Sequence, residues 1–332
     1  MGLQDPNGIR PSVDNAGLED RHVPVLVDEV LEFLAPAPGS LQIDATVGGG
    51  GHTERILEAS SPDGRLLGLD ADGAAVARVR RRLARFGDRA VIRQSNFREL
   101  GEVAPAEGFA QVDGLLFDLG LSSHQLADRD RGFSFRATGP LDMRFDTSRG
   151  VPASELIATL DVDELTALFR RYGEEPFAGR IARAIARERR VGPIGTADRL
   201  AAIVEGAVPG TPRGRRRIHP ATRVFQALRI AVNAELDALE VALRTSVDLL
   251  RPGGRLVVLS YHSLEDRIVK RFIQAERRGC VCPPELPACV CGRMPRLRRL
   301  GPSSVTPGTA ELAANPRSRS ARLRAAERLA AA

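Results

Sequence analysis

The chain reads as an α/β protein built on a Rossmann-like, mostly parallel sheet that a block of helices interrupts. Three observations lead there. Leu41-Gln42-Ile43-Asp44 is an apolar strand ending in an acid, broken by Gly48-Gly49-Gly50-Gly51 and followed by a helical pattern from Thr53 to Ala59. Further apolar runs, Arg65 to Asp70, Ala90 to Gln94, Val112 to Asp118 and Arg255 to Ser260, alternate with helical periods. Between Ala153 and Gly206 the period is helical throughout, with Gly and Pro as breaks, so the β/α alternation stops there.

The glycine turn comes first because it carries the most chemistry. Glycines let the backbone approach a nucleotide closely, and the next helix offers unpaired N–H groups to an electronegative atom. A dinucleotide needs Gly-x-Gly-x-x-Gly/Ala, but the sixth position here is Thr53. Asp44, just ahead of the glycines, would repel a pyrophosphate yet accept hydrogen bonds from an ammonium group. S-adenosylmethionine carries an ammonium and no phosphate, so it is the expected cofactor. Asp70 ends the second strand near the ~20-residue offset at which an acid reaches ribose hydroxyls. Asp72 suits the N-cap of a helix from Gly73 to Phe86 better. A glycine run that merely turns the chain is the plainer alternative, and the acid at the expected offset argues against it.

At 332 residues there is room for an α/β domain and one smaller unit. Residues 1–21 are polar without an apolar period and read as a disordered extension; His22 beyond them suits a cap or surface position. Residues 22–135 are expected to form the first part of the core, 136–212 a helical, RNA-facing insertion, and 213–332 the second part with a Cys-rich loop and basic end. No apolar run reaches about 18 residues and no charged-then-apolar leader opens the chain, so a cytoplasmic protein without a membrane span is expected. Asn96 and Phe97, after the third strand, are placed to meet an adenine edge and face, although Phe97 could equally pack in the core. Asp118 ends the fourth strand at the carboxyl edge, where ligands bind in open α/β sheets. Ala221 to Leu250 reads as one long helix, and Ser263 as an N-cap in capping-box style with Asp266.

The formal charge is +6, but almost every basic residue is Arg, with Lys270 the one lysine, so local clusters say more than the total. Arg131, Phe133 and Phe135 interleave aromatics with arginine, a pattern suited to stacking and phosphate contact with single-stranded nucleic acid; a folded-down loop with buried rings is the bland alternative. Arg215, Arg216 and Arg217 form the densest basic run and suit phosphate contact. The basic stretch from Asn315 to Arg324 could reach RNA or fold back. Cys280, Cys282, Cys289 and Cys291 give two Cys-x-Cys pairs, for which a tetrathiolate zinc site is the functional reading. Cys-x-Cys is less typical of structural zinc than Cys-x-x-Cys, so zinc is admitted but not favoured.

Taken together, Asp44-Ala45-Thr46-Val47-Gly48-Gly49-Gly50-Gly51-His52-Thr53, Asp118-Leu119-Gly120-Leu121-Ser122-Ser123, Arg131-Gly132-Phe133-Ser134-Phe135, His219-Pro220-Ala221-Thr222-Arg223-Val224-Phe225-Gln226-Ala227-Leu228-Arg229 and His262-Ser263-Leu264-Glu265-Asp266-Arg267 resemble the MraW/RsmH family. The resemblance spans roughly His22 to Glu327. It implies a class I S-adenosylmethionine-dependent methyltransferase with a seven-stranded sheet and a helical insertion. It further implies methylation of the exocyclic N4 of a decoding-site cytosine in 16S ribosomal RNA, within the small ribosomal subunit. Cofactor contacts are implied at Gly50, Gly51, His52, Asp70, Phe97, Asp118 and Gln125.

The cytosine amine is a weak nucleophile, so a nearby acceptor must localise its lone pair and take the proton. Many amino-methyltransferases use a polar residue followed by Pro-Pro-aromatic after the fourth strand, whereas this chain has Asp118-Leu119-Gly120-Leu121. Asp118, Asp142 and Ser122 are therefore the candidate base-facing groups, with Asp142 preferred if Asp118 holds the cofactor. The competing expectations are a methyltransferase acting on DNA or protein, and a non-catalytic RNA-binding module that retains the fold.

Overall fold

The computed structural model describes residues 24–209, 219–278, 280–283 and 285–330; the expected N-terminal extension, His22 and the run Arg215 to Arg217 lie outside them. The chain runs α1 (Val27–Leu34), β1 (Leu41–Asp44), α2 (Gly51–Ala59), β2 (Arg65–Asp70), α3 (Gly73–Arg82), β3 (Ala90–Gln94), α4 (Leu100–Ala106), β4 (Val112–Asp118) and α5 (Ser123–Ala127). Helices α6 (Ala153–Thr159), α7 (Val162–Gly173), α8 (Ala178–Val191), α9 (Ala197–Ala207), α10 (Ala221–Asn233) and α11 (Glu235–Leu249) follow. The chain then closes with β5 (Leu250–Ser260), α12 (Ser263–Arg278), β6 (Leu297–Val305), α13 (Thr309–Ala314) and β7 (Arg322–Arg328).

Seven strands form one sheet in the order β3-β2-β1-β4-β5-β7-β6. Strands β1 to β5 are parallel, and β7 is antiparallel to both neighbours. Chain direction across the sheet reverses between β1 and β4, which opens a crevice at their carboxyl ends. Because side chains alternate along a strand, Leu115, Phe117, Leu256 and Val258 enter one core with α11, while Leu116, Val257 and Leu259 enter the other with α1 and α2. A third core runs from Phe133 to Leu228 and joins helices α6 to α10. Gly68 in β2 is required by packing, since a Cβ there would stand 2.5 Å from Val47 Cγ1 and 2.7 Å from Ile92 Cδ1. No helix of the described residues is long and apolar enough to cross a membrane.

Three local expectations are corrected. The long helix breaks at Ala234, which takes left-handed φ and ψ of 48° and 39°. Neither Gly nor Pro marks the break; Asn233 and Glu235 hold it through bonds described below. Ser263 does not cap α12: its hydroxyl donates to Glu174 Oε2 at 2.6 Å, and Asp266 pairs with Arg324. His262 and Glu265 make the reciprocal contacts instead, Glu265 N–H to His262 Nδ1 at 3.4 Å and His262 N–H to Glu265 Oε2 at 3.3 Å. The helix expected from Gly73 to Phe86 ends at Arg82 and tightens into a 3₁₀ stretch, Ala84–Arg89. Of the basic C-terminal stretch, Pro316–Ser320 forms a 3₁₀ turn and Arg322 to Arg324 enter β7, beside β5.

Candidate active site

A cavity of about 490 Å³ opens at the carboxyl ends of β1, β2 and β4. Its near wall is the glycine turn. Gly48 and Gly50 have φ of +51° and +80°, which glycine adopts without strain, and Gly50 leads into α2. Asp70 closes β2 with one carboxylate oxygen accepting from Gly48 N–H and the other from Asp72 N–H, both at 2.9 Å. Burial pushes its carboxyl up to about 6 despite those two bonds. Phe97 lines the cavity and meets Phe117 edge-on with ring centroids 5.9 Å apart, so one ring serves both the wall and the core.

Asp44 is not available to an ammonium group. It is buried beneath the turn, accepting from Thr46 N–H at 3.1 Å and the Thr53 hydroxyl at 2.6 Å, and it does not line the cavity. Asp72 caps α3 through Ala74 N–H at 3.0 Å and also accepts from Gln125 Nε2 at 3.2 Å. Gln125 in turn closes a capping box with Ser122 at the start of α5. The Ser122 hydroxyl is thereby engaged at a helix end, although both residues line the cavity.

Asp118 is the hub of the site. The Tyr261 hydroxyl donates to its Oδ1 at 2.7 Å, His52 Nδ1 lies 3.2 Å from its Oδ2, and its own N–H donates to the Thr46 hydroxyl at 2.6 Å. His52 Nε2 is 2.9 Å from the Val25 carbonyl. A carbonyl can only accept, which puts a proton on Nε2, and the Asp118 carboxylate beside Nδ1 favours a second one there. Burial disfavours that charge, but the Asp118 partner outweighs it and raises the His52 pKa above its ordinary value.

The far wall holds residues to which the sequence reading gave no role in the site. Arg229 forks onto Glu235 at 2.8 and 2.9 Å across the helix break. Asn233 bridges back to the loop after α5, donating to Met143 O at 2.8 Å and accepting from Phe145 N–H at 2.7 Å. Glu265, buried, accepts from Tyr261 N–H at 2.8 Å. Burial holds the Glu235 carboxyl above the usual range, while His262 and Arg229 overcome burial at Glu265 and hold it below. Glu235, His262 and Glu265 offer ligand atoms within 4.8 Å of one another, but the Arg229 guanidinium already supplies positive charge there, so an ion-pair network accounts for the cluster. The sequence cues were Arg229 at the end of one family motif and His262 to Glu265 in another, just past a strand end.

Three other expectations change. Asp142 is gripped by Arg144, Nε to Oδ1 and Nη2 to Oδ2 at 2.8 Å each, and does not line the cavity. Partial burial raises its pKa but these bonds outweigh it, so the carboxyl sits below its ordinary value and makes a poor proton acceptor. Arg131 points inward to Asp72 and to the carbonyls of Arg144 and Phe145, a brace and not a phosphate contact. Phe133 is largely buried and stacks on Phe145, and half-buried Phe135 stacks on His219 with centroids 4.2 Å apart; Phe133, Phe135 and Phe145 all line the cavity.

The strand order, with an antiparallel seventh strand next to β5, and the glycine turn facing a strand-end acid define a class I S-adenosylmethionine-dependent methyltransferase. The chain belongs to the MraW methylase family, whose model matches residues 19–329. It is 57% identical over 330 residues to the ribosomal RNA small subunit methyltransferase H of Thermomicrobium roseum, covering 99% of this chain and 97% of that protein. The proteins of the same name from Syntrophotalea carbinolica and Geobacter sulfurreducens are 52% and 53% identical, each over 93% of this chain and 98% and 99% of their own lengths.

Proposed function

We propose that the chain methylates the exocyclic N4 of a decoding-site cytosine in 16S ribosomal RNA, acting in the cytoplasm on the small ribosomal subunit. The observation that carries this reading is one continuous cavity, which joins the near wall of the glycine turn, Asp70 and Phe97 to a polar far wall of Glu235, His262 and Glu265 across Asp118. Near-full-length relatives named as small-subunit rRNA methyltransferases support the substrate class.

The near wall fits S-adenosylmethionine. Each Asp70 oxygen has one N–H partner and a lone pair left for a ribose hydroxyl, Phe97 offers a face to the adenine, and the volume falls in the range of about 300–1,000 Å³ common to small-ligand sites. Gly50, Gly51, His52, Asp118 and Gln125 would complete the cradle. When bound, the cofactor supplies an electrophilic methyl group on a sulfonium. The protein's part is to hold the cytosine N4 in line with it, exclude water and receive the amine proton. Asp118 and Glu235 line the region where that amine would lie and replace Asp142 in the proposed role; Glu265 shares that wall, but His262 and Arg229 hold its carboxyl low, as Arg144 does for Asp142. Phe135, with His219 behind it, gives a splayed-out base a ring to rest on. The helices between β4 and β5, with the basic run Arg215 to Arg217 in the sequence between α9 and α10, are proposed to face the RNA.

The test is transfer of labelled methyl from S-adenosylmethionine to small subunits from cells lacking this protein, to naked 16S RNA and to DNA, followed by nucleoside analysis. Label on cytosine N4 of ribosomal RNA is expected. Label only on DNA or protein would replace the substrate assignment, and an unmethylated set with no cofactor binding would leave a non-catalytic RNA-binding module.

A further inference from the structure

The four cysteines lie between α12 and β6, at the opposite end of α12 from the cavity. That helix has 16 residues, or about 24 Å at 1.5 Å per residue. The Sγ atoms of Cys280 and Cys289 are 3.5 Å apart, those of Cys289 and Cys291 3.6 Å, of Cys280 and Cys291 3.9 Å, and of Cys282 and Cys289 4.0 Å. All four lie within 4.8 Å of one another. A disulfide requires about 2.05 Å, so no pair is bonded. Four sulfurs at about 2.3 Å from one zinc ion occupy the corners of a tetrahedron with edges of about 3.8 Å, and the observed separations bracket that value.

The surrounding loop gives these side chains no other reason to converge. Val281, Val290 and Met294 are 60%, 78% and 61% exposed, so apolar burial does not hold the segment. The two Cys-x-Cys corners instead face each other with matched hydrogen bonds. Val281, between Cys280 and Cys282, donates its N–H to Cys291 Sγ at 3.5 Å; Val290, between Cys289 and Cys291, donates to Cys282 Sγ at 3.4 Å. Such N–H donors favour thiolate over thiol. In the sequence Cys-x-Cys is less typical of structural zinc than Cys-x-x-Cys; the fold sets the two corners opposite each other.

We propose that Cys280, Cys282, Cys289 and Cys291 bind one zinc ion that closes the connection between α12 and β6. Four protein ligands leave no position for water, so the ion is structural and takes no part in methyl transfer. It fixes the path by which the chain leaves α12 and enters β6, the outer strand that pairs with β7.

The test is elemental analysis of the full chain, purified without a polyhistidine tag from zinc-supplemented culture. One zinc per chain is expected, with about none left in a Cys280→Ser/Cys291→Ser variant whose S-adenosylmethionine affinity stays within about twofold of the parent. Cobalt in place of zinc should give the sulfur-to-metal charge-transfer absorption of a tetrahedral tetrathiolate site. A metal-free chain in which all four thiols react with a thiol reagent, or which carries two disulfides by mass, would overturn the proposal. Zinc content of the parent chain is read independently of whether the variant folds.

Discussion

Replacing His52 by alanine removes a buried cation whose two partners remain in place. The ring is 5% exposed, with Nε2 at 2.9 Å from the Val25 carbonyl and Nδ1 at 3.2 Å from Asp118. Removing one partner of a fully buried ion pair costs about 3–5 kcal/mol, because the other charge is left uncompensated. Asp118 is 20% exposed and keeps the Tyr261 hydroxyl, which reduces the expected cost to about 2–3 kcal/mol near pH 6. The pH dependence fixes the cause. A histidine whose folded pKa is raised binds its proton more tightly in the native state. Its stabilisation is therefore complete below about pH 6.5 and fades as the pH climbs through the folded value. Urea unfolding of parent and His52→Ala, followed by far-UV circular dichroism, should show a gap in stability that narrows as the pH rises above about 6.5. A gap that is constant or widens with pH would refute the charged His52–Asp118 pair and leave only lost packing.

Asp70 makes a linked prediction of the same sign in a lower pH window: a carboxyl raised to about 6 binds a proton in the folded chain more readily than in the unfolded one, so apo stability falls as pH rises from about 4 to 6, by up to about 3 kcal/mol in an unfolding series. Cofactor affinity should weaken below about pH 6 as Asp70 protonates, and Asp70→Asn should weaken it about 10-fold or more in calorimetry at neutral pH. Gly68→Ala drives a Cβ into Val47 and Ile92, and should cost about 1–3 kcal/mol while weakening cofactor binding through the displaced glycine turn, both read by thermal shift with and without cofactor. Asp142→Asn breaks the fork from Arg144 and should lower stability by about 1 kcal/mol while methyl transfer persists; abolished transfer with intact cofactor binding would return Asp142 to the chemistry.

The sheet was legible because β1 to β4 are short apolar runs ended by Gly, Asp or Asn, and such runs leave few alternatives. The near wall of the site was legible too, since Gly48 to Gly51 and Asp70 sit at spacings that a nucleotide-binding turn dictates. What the sequence hid depends on contacts far apart in the chain. Ala234 looks like a helix interior and becomes a break only because Asn233 reaches Met143 and Phe145, about 90 positions away. Asp44 is the right residue type for an ammonium partner, but Thr53 and Thr46 consume it. Arg131 and Phe133 have the composition of a nucleic-acid surface and instead brace the loop from within. Charge and aromatic content report what a side chain could do; only the fold decides which way it faces.

The central claim is tested most directly in 16S ribosomal RNA from cells lacking this protein, analysed by nucleoside mass spectrometry before and after the chain is restored. The account predicts that one N4-methyl mark on a decoding-site cytosine disappears, returns with the parent chain, and does not return with Asp70→Asn. A mark that persists without the protein, or a restored methyl group at a position other than cytosine N4, would contradict it.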